Sequence, residues 1–264
     1  MQPLMQTILC ILTTLMILAV APFAQAENSK KDTRVYEVRV YYAPPGKLDN
    51  LHARFRDHTT KLFAKHGIES IGYWTPINNS SNKLFYVLAY PSRDAREASW
   101  KAFMADPDWK KAWADSEKDG PIVYGNRIES YFLQATDFSP VPKAGHRKPS
   151  HVFELRTYTA APGKLDALLA RFKNHTVRLF EKHGMSNIAY WTKMKDQKDS
   201  DTMLQYILAH DSEDAAKKSF AAFRDDADWV AAKNQSEKDN GGSLTADKGV
   251  VSEFMVPTDY SPIQ

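Results

Sequence analysis

Residues 35–75 and 152–192 are one segment written twice, with 25 of 41 positions identical at a constant offset of 117. A repeat of this length means two copies of one supersecondary unit, so the fold of the unit comes before the fold of the chain. Val35-Tyr-Glu-Val-Arg-Val-Tyr41 returns as Val152-Phe-Glu-Leu-Arg-Thr-Tyr158, and Pro45-Gly-Lys-Leu-Asp49 as Pro162-Gly-Lys-Leu-Asp166. Lys65-His-Gly67 returns as Lys182-His-Gly184, and Tyr73-Trp-Thr75 as Tyr190-Trp-Thr192. The offset grows to 120 at Asp106-Pro-Asp-Trp109 against Asp226-Ala-Asp-Trp229, and to 122 at Asp137-Phe-Ser-Pro140 against Asp259-Tyr-Ser-Pro262. The insertions fall between periodic segments, where lengthening a loop costs little. The repeats occupy residues 34–140 and 151–264, and the Pro- and Gly-bearing stretch 141–150 is the linker.

Each unit reads β-α-β-β-α-β. Residues 34–42 alternate and are rich in β-branched and aromatic side chains, which predicts a strand. Pro45-Gly46 turns the chain, and Leu48, Leu51, Phe55, Leu62 and Phe63 then recur at helical spacing up to a stop at His66-Gly67. Residues 68–76 and 84–90 predict two more strands around the turn Asn78–Asn82. A helix is expected over 94–104, a second one capped by Asp106 with Pro107 in its first position, and a last strand over 128–134. The predicted fold is therefore α+β, with two tandem ferredoxin-like units. Such a unit covers one face of its sheet with helices and leaves the other open. Two tandem copies solve this by packing their open faces together, which predicts an intramolecular pseudo-dimer around a central space. The halves are then expected to fold as one unit; further homo-oligomerisation is left open.

Strand residues alternate between faces, so the first strand presents two sets. Tyr36, Val38, Val40 and Tyr42 all differ from their copies, and the set is mostly apolar. Val35, Glu37, Arg39 and Tyr41 are all identical to theirs. The first set is expected under the helices and the second on the open face, lining the central space. The candidate lining is Glu37, Arg39, Tyr41, Tyr86 and one of Tyr73 or Trp74, with the copies Glu154, Arg156, Tyr158, Tyr206 and Tyr190 or Trp191. Glu and Arg two residues apart on one face can form a charge-assisted hydrogen bond, and a buried pair of this kind also serves as a purely structural tie.

No metal or cofactor is expected. His52, His58 and His66 are six, eight and fourteen residues apart, which does not bring two ligands side by side on a helix. His66 and His183 precede helix-ending glycines and are expected to cap. Phosphate-binding glycine loops and nucleophile elbows do not occur in the sequence. Trp100, Phe103, Trp109 and Trp113 fall at helical spacing and are expected in the core. The net charge of +3 comes from interspersed charges, which argues against a nucleic-acid surface.

Residues 1–26 contain no Asp, Glu, Lys or Arg, and an apolar run ends at Ala24-Gln25-Ala26. This reads as a signal peptide cleaved after Ala26, the alternative being an uncleaved N-terminal anchor, and the protein is expected to be exported, periplasmic or secreted, with no membrane span once cleaved. The one cysteine, Cys10, lies inside that segment, so the mature chain has neither disulfides nor a thiol nucleophile.

The motifs Glu37-Val-Arg39-Val-Tyr41, Pro45-Gly46-Lys47-Leu48, His66-Gly67, Gly72-Tyr73-Trp74, Asp106-Pro107-Asp108-Trp109 and Phe138-Ser139-Pro140 together resemble the NIPSNAP family. The second copy carries Glu154-Leu155-Arg156-Thr157-Tyr158 but has Ala189 for the glycine and Ala227 for the proline. The resemblance implies the dimeric α/β barrel fold, a group that also holds small cofactor-free oxygenases and isomerases. It implies no particular reaction, because fold does not fix function. The leading expectation is a non-catalytic protein binding a small, partly apolar ligand in the central barrel. The alternatives are a protein-interaction or adaptor module, and a cofactor-independent oxygenase or isomerase using the Tyr/Arg/Glu cluster.

Overall fold

The computed structural model describes residues 31–145 and 151–264. The expected signal segment 1–26 and residues 146–150 of the linker lie outside them.

The first repeat runs β1 (Val35–Tyr42), α1 (Leu48–Arg54), a π-helical turn (Phe55–Thr59), α2 (Thr60–Lys65), β2 (Glu69–Pro76), β3 (Lys83–Tyr90), α3 (Arg93–Ala105), α4 (Pro107–Ser116) and β4 (Glu129–Ala135). The second repeats the order as β5 (Val152–Ala160), α5 (Leu165–Arg171), a π-helical turn (Phe172–Thr176), α6 (Val177–Lys182), β6 (Ser186–Lys193), β7 (Met203–His210), α7 (Glu213–Asp225), α8 (Ala227–Asp239) and β8 (Thr245–Pro257). The expected local signals are used. The side chain of Ser92 caps α3 through Ala95 N, and that of Asp106 caps α4 through Asp108 N with Pro107 behind it. His66 ends α2, and its Nε2 lies 2.6 Å from the Asp106 carboxylate, so one histidine ties the end of one helix to the start of another. His183 and Asp226 repeat the contact at 2.7 Å.

The eight strands close into one antiparallel barrel in the order β1-β3-β2-β8-β5-β7-β6-β4. Each repeat contributes four strands. The seams between repeats are β2 with β8, in register at Trp74↔Pro257, and β4 with β6, at Leu133↔Lys193. The two sheets thus join edge to edge rather than face to face, which removes their exposed edges along the seams. The tail after each fourth strand crosses onto the other repeat. Thr258 N donates to Tyr73 O and Tyr73 N to Ser261 Oγ; Thr136 N donates to Tyr190 O and Tyr190 N to Ser139 Oγ. The duplicated Asp-aromatic-Ser-Pro motif is therefore a reciprocal clasp. Its Arg56–Asp259 and Lys173–Asp137 pairs sit on the surface. The linker begins along the same tail, with Gly145 bridged to Ile263.

The barrel interior is filled. Tyr36, Val38, Trp74, Phe85, Val87, Phe153, Trp191, Ile207 and Met255 belong to one buried cluster fed by both repeats. Trp74 meets Phe153 and Tyr36 meets Trp191, at centroid distances of 5.7 and 5.4 Å. Tyr36, Val38, Trp74, Phe153 and Met255 are all at 0 % exposure, as in a packed core rather than a hollow one. A second and a third cluster lie between the sheet and the helices, one per repeat.

These clusters reverse the expected faces of β1 and β5. The variable apolar set, Tyr36, Val38 and Val40, points into the barrel, and the identical set points out toward the helices. Tyr41, Tyr73 and Tyr86 all contact Phe55 of the first π-turn, at 6.0, 5.6 and 5.3 Å. Of the candidate lining residues, Trp74 and Trp191 alone face the barrel. Glu37, Arg39, Tyr41, Tyr73, Tyr86, Glu154, Arg156, Tyr158, Tyr190 and Tyr206 lie on the helix side. The reason is polar satisfaction: a closed apolar barrel offers a carboxylate and a guanidinium too few partners, whereas the helix layer brings more.

Candidate functional site

In the first repeat, Glu37 is wholly buried and both its oxygens are occupied. Oε1 accepts from Arg39 Nη1 at 2.7 Å, Arg96 Nη2 at 2.8 Å and Ser130 Oγ at 2.8 Å. Oε2 accepts from Arg96 Nε at 3.0 Å and Tyr90 Oη at 3.1 Å. Arg39 also donates to Tyr86 Oη at 3.0 Å and Tyr41 Oη at 3.2 Å, and lies over the Trp100 ring at 4.6 Å. Trp100 Nε1 in turn donates to Tyr90 Oη at 2.7 Å. Strand register places Arg39 directly opposite Tyr86, and α3 supplies Arg96 and Trp100 from above.

Burial alone would raise the Glu37 carboxyl, but Arg96, Arg39 and Ser130 outweigh it and hold it at about 2. Burial pushes the Tyr86 phenol well above its ordinary value, and the Tyr73 phenol likewise. Near neutral pH the cluster therefore holds a fixed carboxylate and fixed phenols. A general base works best with a pKa near the working pH, and none of these three groups has one.

The second repeat keeps the centre and changes the surround. Glu154 accepts from Arg156 Nη1 and Ser252 Oγ, and Arg156 donates to Tyr206 Oη at 2.9 Å and Tyr158 Oη at 3.3 Å. At an offset of 120, Arg96 is replaced by Ala216, Tyr90 by His210 and Trp100 by Phe220. The second Glu154 oxygen is met by His210 Nε2 at 3.0 Å, and His210 Nδ1 is buried without a hydrogen-bond partner. Burial would raise Glu154, and His210 and Arg156 outweigh it and pull it down.

A different feature is open to solvent. In both repeats a cleft runs between the π-turned helix and the last helix of the unit. In the first repeat it holds 340 Å³ and is lined by Asp57, His58, Lys61, Asp108 and Asp115, among others. The second-repeat cleft holds 730 Å³ and presents Arg171, Asn174, His175, Arg178, Asp228 and Gln235. Lys111, which lines the first cleft and pairs with Asp115 one turn along α4, is replaced in the second by Ala231. No group of three or more His, Cys, Asp or Glu among the described residues is placed to hold a metal ion.

The NIPSNAP family model matches residues 36–140 and 153–262, which is most of the chain and both repeats. The chain belongs to the NIPSNAP family. A Dictyostelium discoideum protein described as a NipSnap homolog is 23% identical over 145 residues, 54% of this chain, and the match spans only 56% of that relative's length. Among solved structures, a candidate monooxygenase from Fusobacterium nucleatum matches with a TM-score of 0.58 and 12% identity, covering 85% of this chain and 92% of that one. A second, from Lactobacillus acidophilus, matches at 0.54 and 10%, covering 86% and 94%. At these identities the likeness is one of fold alone. The family motif Glu-x-Arg-x-Tyr of this NIPSNAP chain is thus the buried strand-to-helix network, and His-Gly with Asp-Pro-x-Trp is the helix tie.

The cleft residues were not among the candidates that the strand pattern suggests, yet they carry a signal of their own. Ala53-Arg54-Phe55 and His58-Thr59 recur as Ala170-Arg171-Phe172 and His175-Thr176, an identity as full as that of the first strand. Arg54 and Arg171 are 5% and 6% exposed and pack on Trp109 and Trp229. The signal is a repeated arginine, buried in the fold, inside a helix whose pattern is otherwise set by its apolar residues. The π-turn, where Thr59 and Thr176 Oγ1 return a hydrogen bond to the carbonyls of Arg54 and Arg171, has no such signature.

Proposed function

We propose that this NIPSNAP chain is a non-catalytic binding protein whose ligand site lies outside the barrel, in the second-repeat cleft. The observation that carries this reading is the pairing of a barrel closed by its own side chains with an exterior cleft of 730 Å³. Small-molecule sites are concave spaces of about 300–1,000 Å³ lined by apolar walls and a few aimed polar groups. A thermal-shift screen on the wild type and on Ala231→Trp tests it. Ligands that stabilise the first and fail on the second support the cleft, and ligands indifferent to Ala231→Trp reject it.

The second reading is a cofactor-independent oxygenase or isomerase, favoured by the fold shared with the two candidate monooxygenases. It would use the Glu37/Arg39/Tyr86 cluster, whose fixed protonation states speak against proton transfer there. Turnover of a quinol panel that Glu37→Gln abolishes in a still-folded protein would establish it in place of the first. The wider setting proposed is an exported protein built as a ferredoxin-like pseudo-dimer, and an intact mass lacking residues 1–26 is the expected mark of export.

A further inference from the structure

We infer that the second-repeat cleft takes a small carboxylate monoanion, and that Arg171 is the group that receives the carboxylate. This rests on the reading of that cleft as the ligand site.

Arg171 is an under-used guanidinium. Arg171 has only 5% of its side chain exposed, and a guanidinium carries five N–H donors. Among the described residues its hydrogen bond runs from Nη1 to Ser236 Oγ at 3.5 Å, and its ion pair, with Glu237, is also 3.5 Å long. Nε is buried without a partner. Burial pulls this guanidinium below its ordinary value. Buried polar groups are nearly always satisfied, and a guanidinium held by one long hydrogen bond at the wall of a cleft has donors left for a ligand there.

The first repeat is the internal control. Arg54, its counterpart, reaches Ser116 Oγ at 3.2 Å and Glu117 Oε1 at 3.1 Å, closer on both counts, although its Nε is unpaired too. The first-repeat cleft is not lined by Arg54, whereas the second is lined by Arg171. The guanidinium with the weaker protein partners is the one beside open space.

The rest of the cleft narrows the chemistry. Arg178 adds a second cation, while Asp228 and Asp239 share the same walls. Arg178 is only loosely held, 3.5 Å from Asp228, and Asp239 accepts from Gln235 Nε2 at 2.7 Å. Two carboxylates in one small cleft repel a second negative charge on the ligand, which favours a carboxylate over a phosphate dianion. Ala167, Ala170, Ala231 and Ala232 form a small apolar wall for the body of the acid. A carboxylate also matches the planar fork of an arginine with two parallel hydrogen bonds.

Calorimetric titration of the full chain with benzoate, benzamide and inorganic phosphate tests the inference. Benzoate is expected to bind saturably, and benzamide and phosphate at least roughly tenfold more weakly, since charge-assisted hydrogen bonds carry the difference. Arg171→Gln should erase the preference for benzoate. Because a buried arginine can be needed for folding, Ala231→Trp provides an independent block: it fills the cleft from its exposed wall, leaves Arg171 in place, and should abolish binding. Lys111→Trp, at the matching position of the first repeat, should leave benzoate binding unchanged. Benzoate that fails to bind the wild type saturably overturns the inference. Equal binding of benzamide and benzoate, both lost in Ala231→Trp, rejects the carboxylate and keeps the cleft. Benzoate binding untouched by Ala231→Trp rejects both.

Discussion

The two halves of this barrel hold the same Glu-Arg-Tyr centre in different surroundings. Glu37 is neutralised twice, by Arg39 beside it and by Arg96 from α3. Glu154 has one guanidinium, Arg156, and takes His210 where the first half has Tyr90. The centre persists because a carboxylate buried under helices must be paired wherever it occurs; the surround varies because several partners can complete it. The clefts differ in the opposite sense. The first is the smaller, with a lysine on its wall where the second has an alanine. Duplication preserved the parts that hold the sheet to its helices and released one exterior groove.

The largest test of this contrast removes the guanidiniums singly. Arg156→Ala leaves Glu154 with no guanidinium, and an uncompensated buried carboxylate costs about 3–5 kcal/mol. Arg39→Ala leaves Arg96 in place and is expected to cost about 1–2 kcal/mol less, by the same reasoning. Denaturant unfolding measures both. Equal losses, or a greater loss for Arg39→Ala, would show that Arg96 does not compensate.

Acid unfolding gives a somewhat smaller effect. The Glu37 carboxyl is held below its unfolded value, so its contribution is fully present above about pH 4.5 and is lost as the pH falls toward about 2. A fall from 4.5 to about 2 corresponds to on the order of 3 kcal/mol. Stability of the wild type should therefore drop through that window, and Glu37→Gln should flatten the drop while lowering stability at neutral pH. An unchanged acid slope in Glu37→Gln would mean that Glu37 is not the group titrating.

The smallest effect belongs to the clasp. Arg56 and Asp259 join the repeats at 2.6 Å, but their side chains are 43% and 62% exposed. Asp259→Ala should cost no more than about 1 kcal/mol, and less in high salt. A loss as large as that of Arg39→Ala would move the strength of the junction from the buried network to the tails.

Much of the fold is legible in the amino-acid sequence. The offset of 117 locates the repeats, Asp106 with Pro107 marks the start of α4 to the residue, and the strands of the first repeat fall within one position of expectation, while β8 runs longer than a copy of β4 would. The cleft is not legible in the same way. Arg171 reaches its wall only because it is held against Ser236 of α8, 65 residues further along the chain, and the opposite wall is set by Ala231 on that same helix.

The order of elements, the duplication and the alternation of β1 are properties of the sequence itself, because period-two and period-3.6 patterns are local. Alternation separates Glu37, Arg39 and Tyr41 from Tyr36, Val38 and Val40, but it is symmetric and says nothing about which set is inside. That choice was made by the tertiary structure. Closing eight strands into one barrel leaves an interior that apolar side chains fill at least cost, as Val38, Val87, Phe153 and Met255 do. The charged set must then turn to the layer that can pair it, where Arg96 of α3 comes within 2.8 Å of Glu37 across 59 residues of chain.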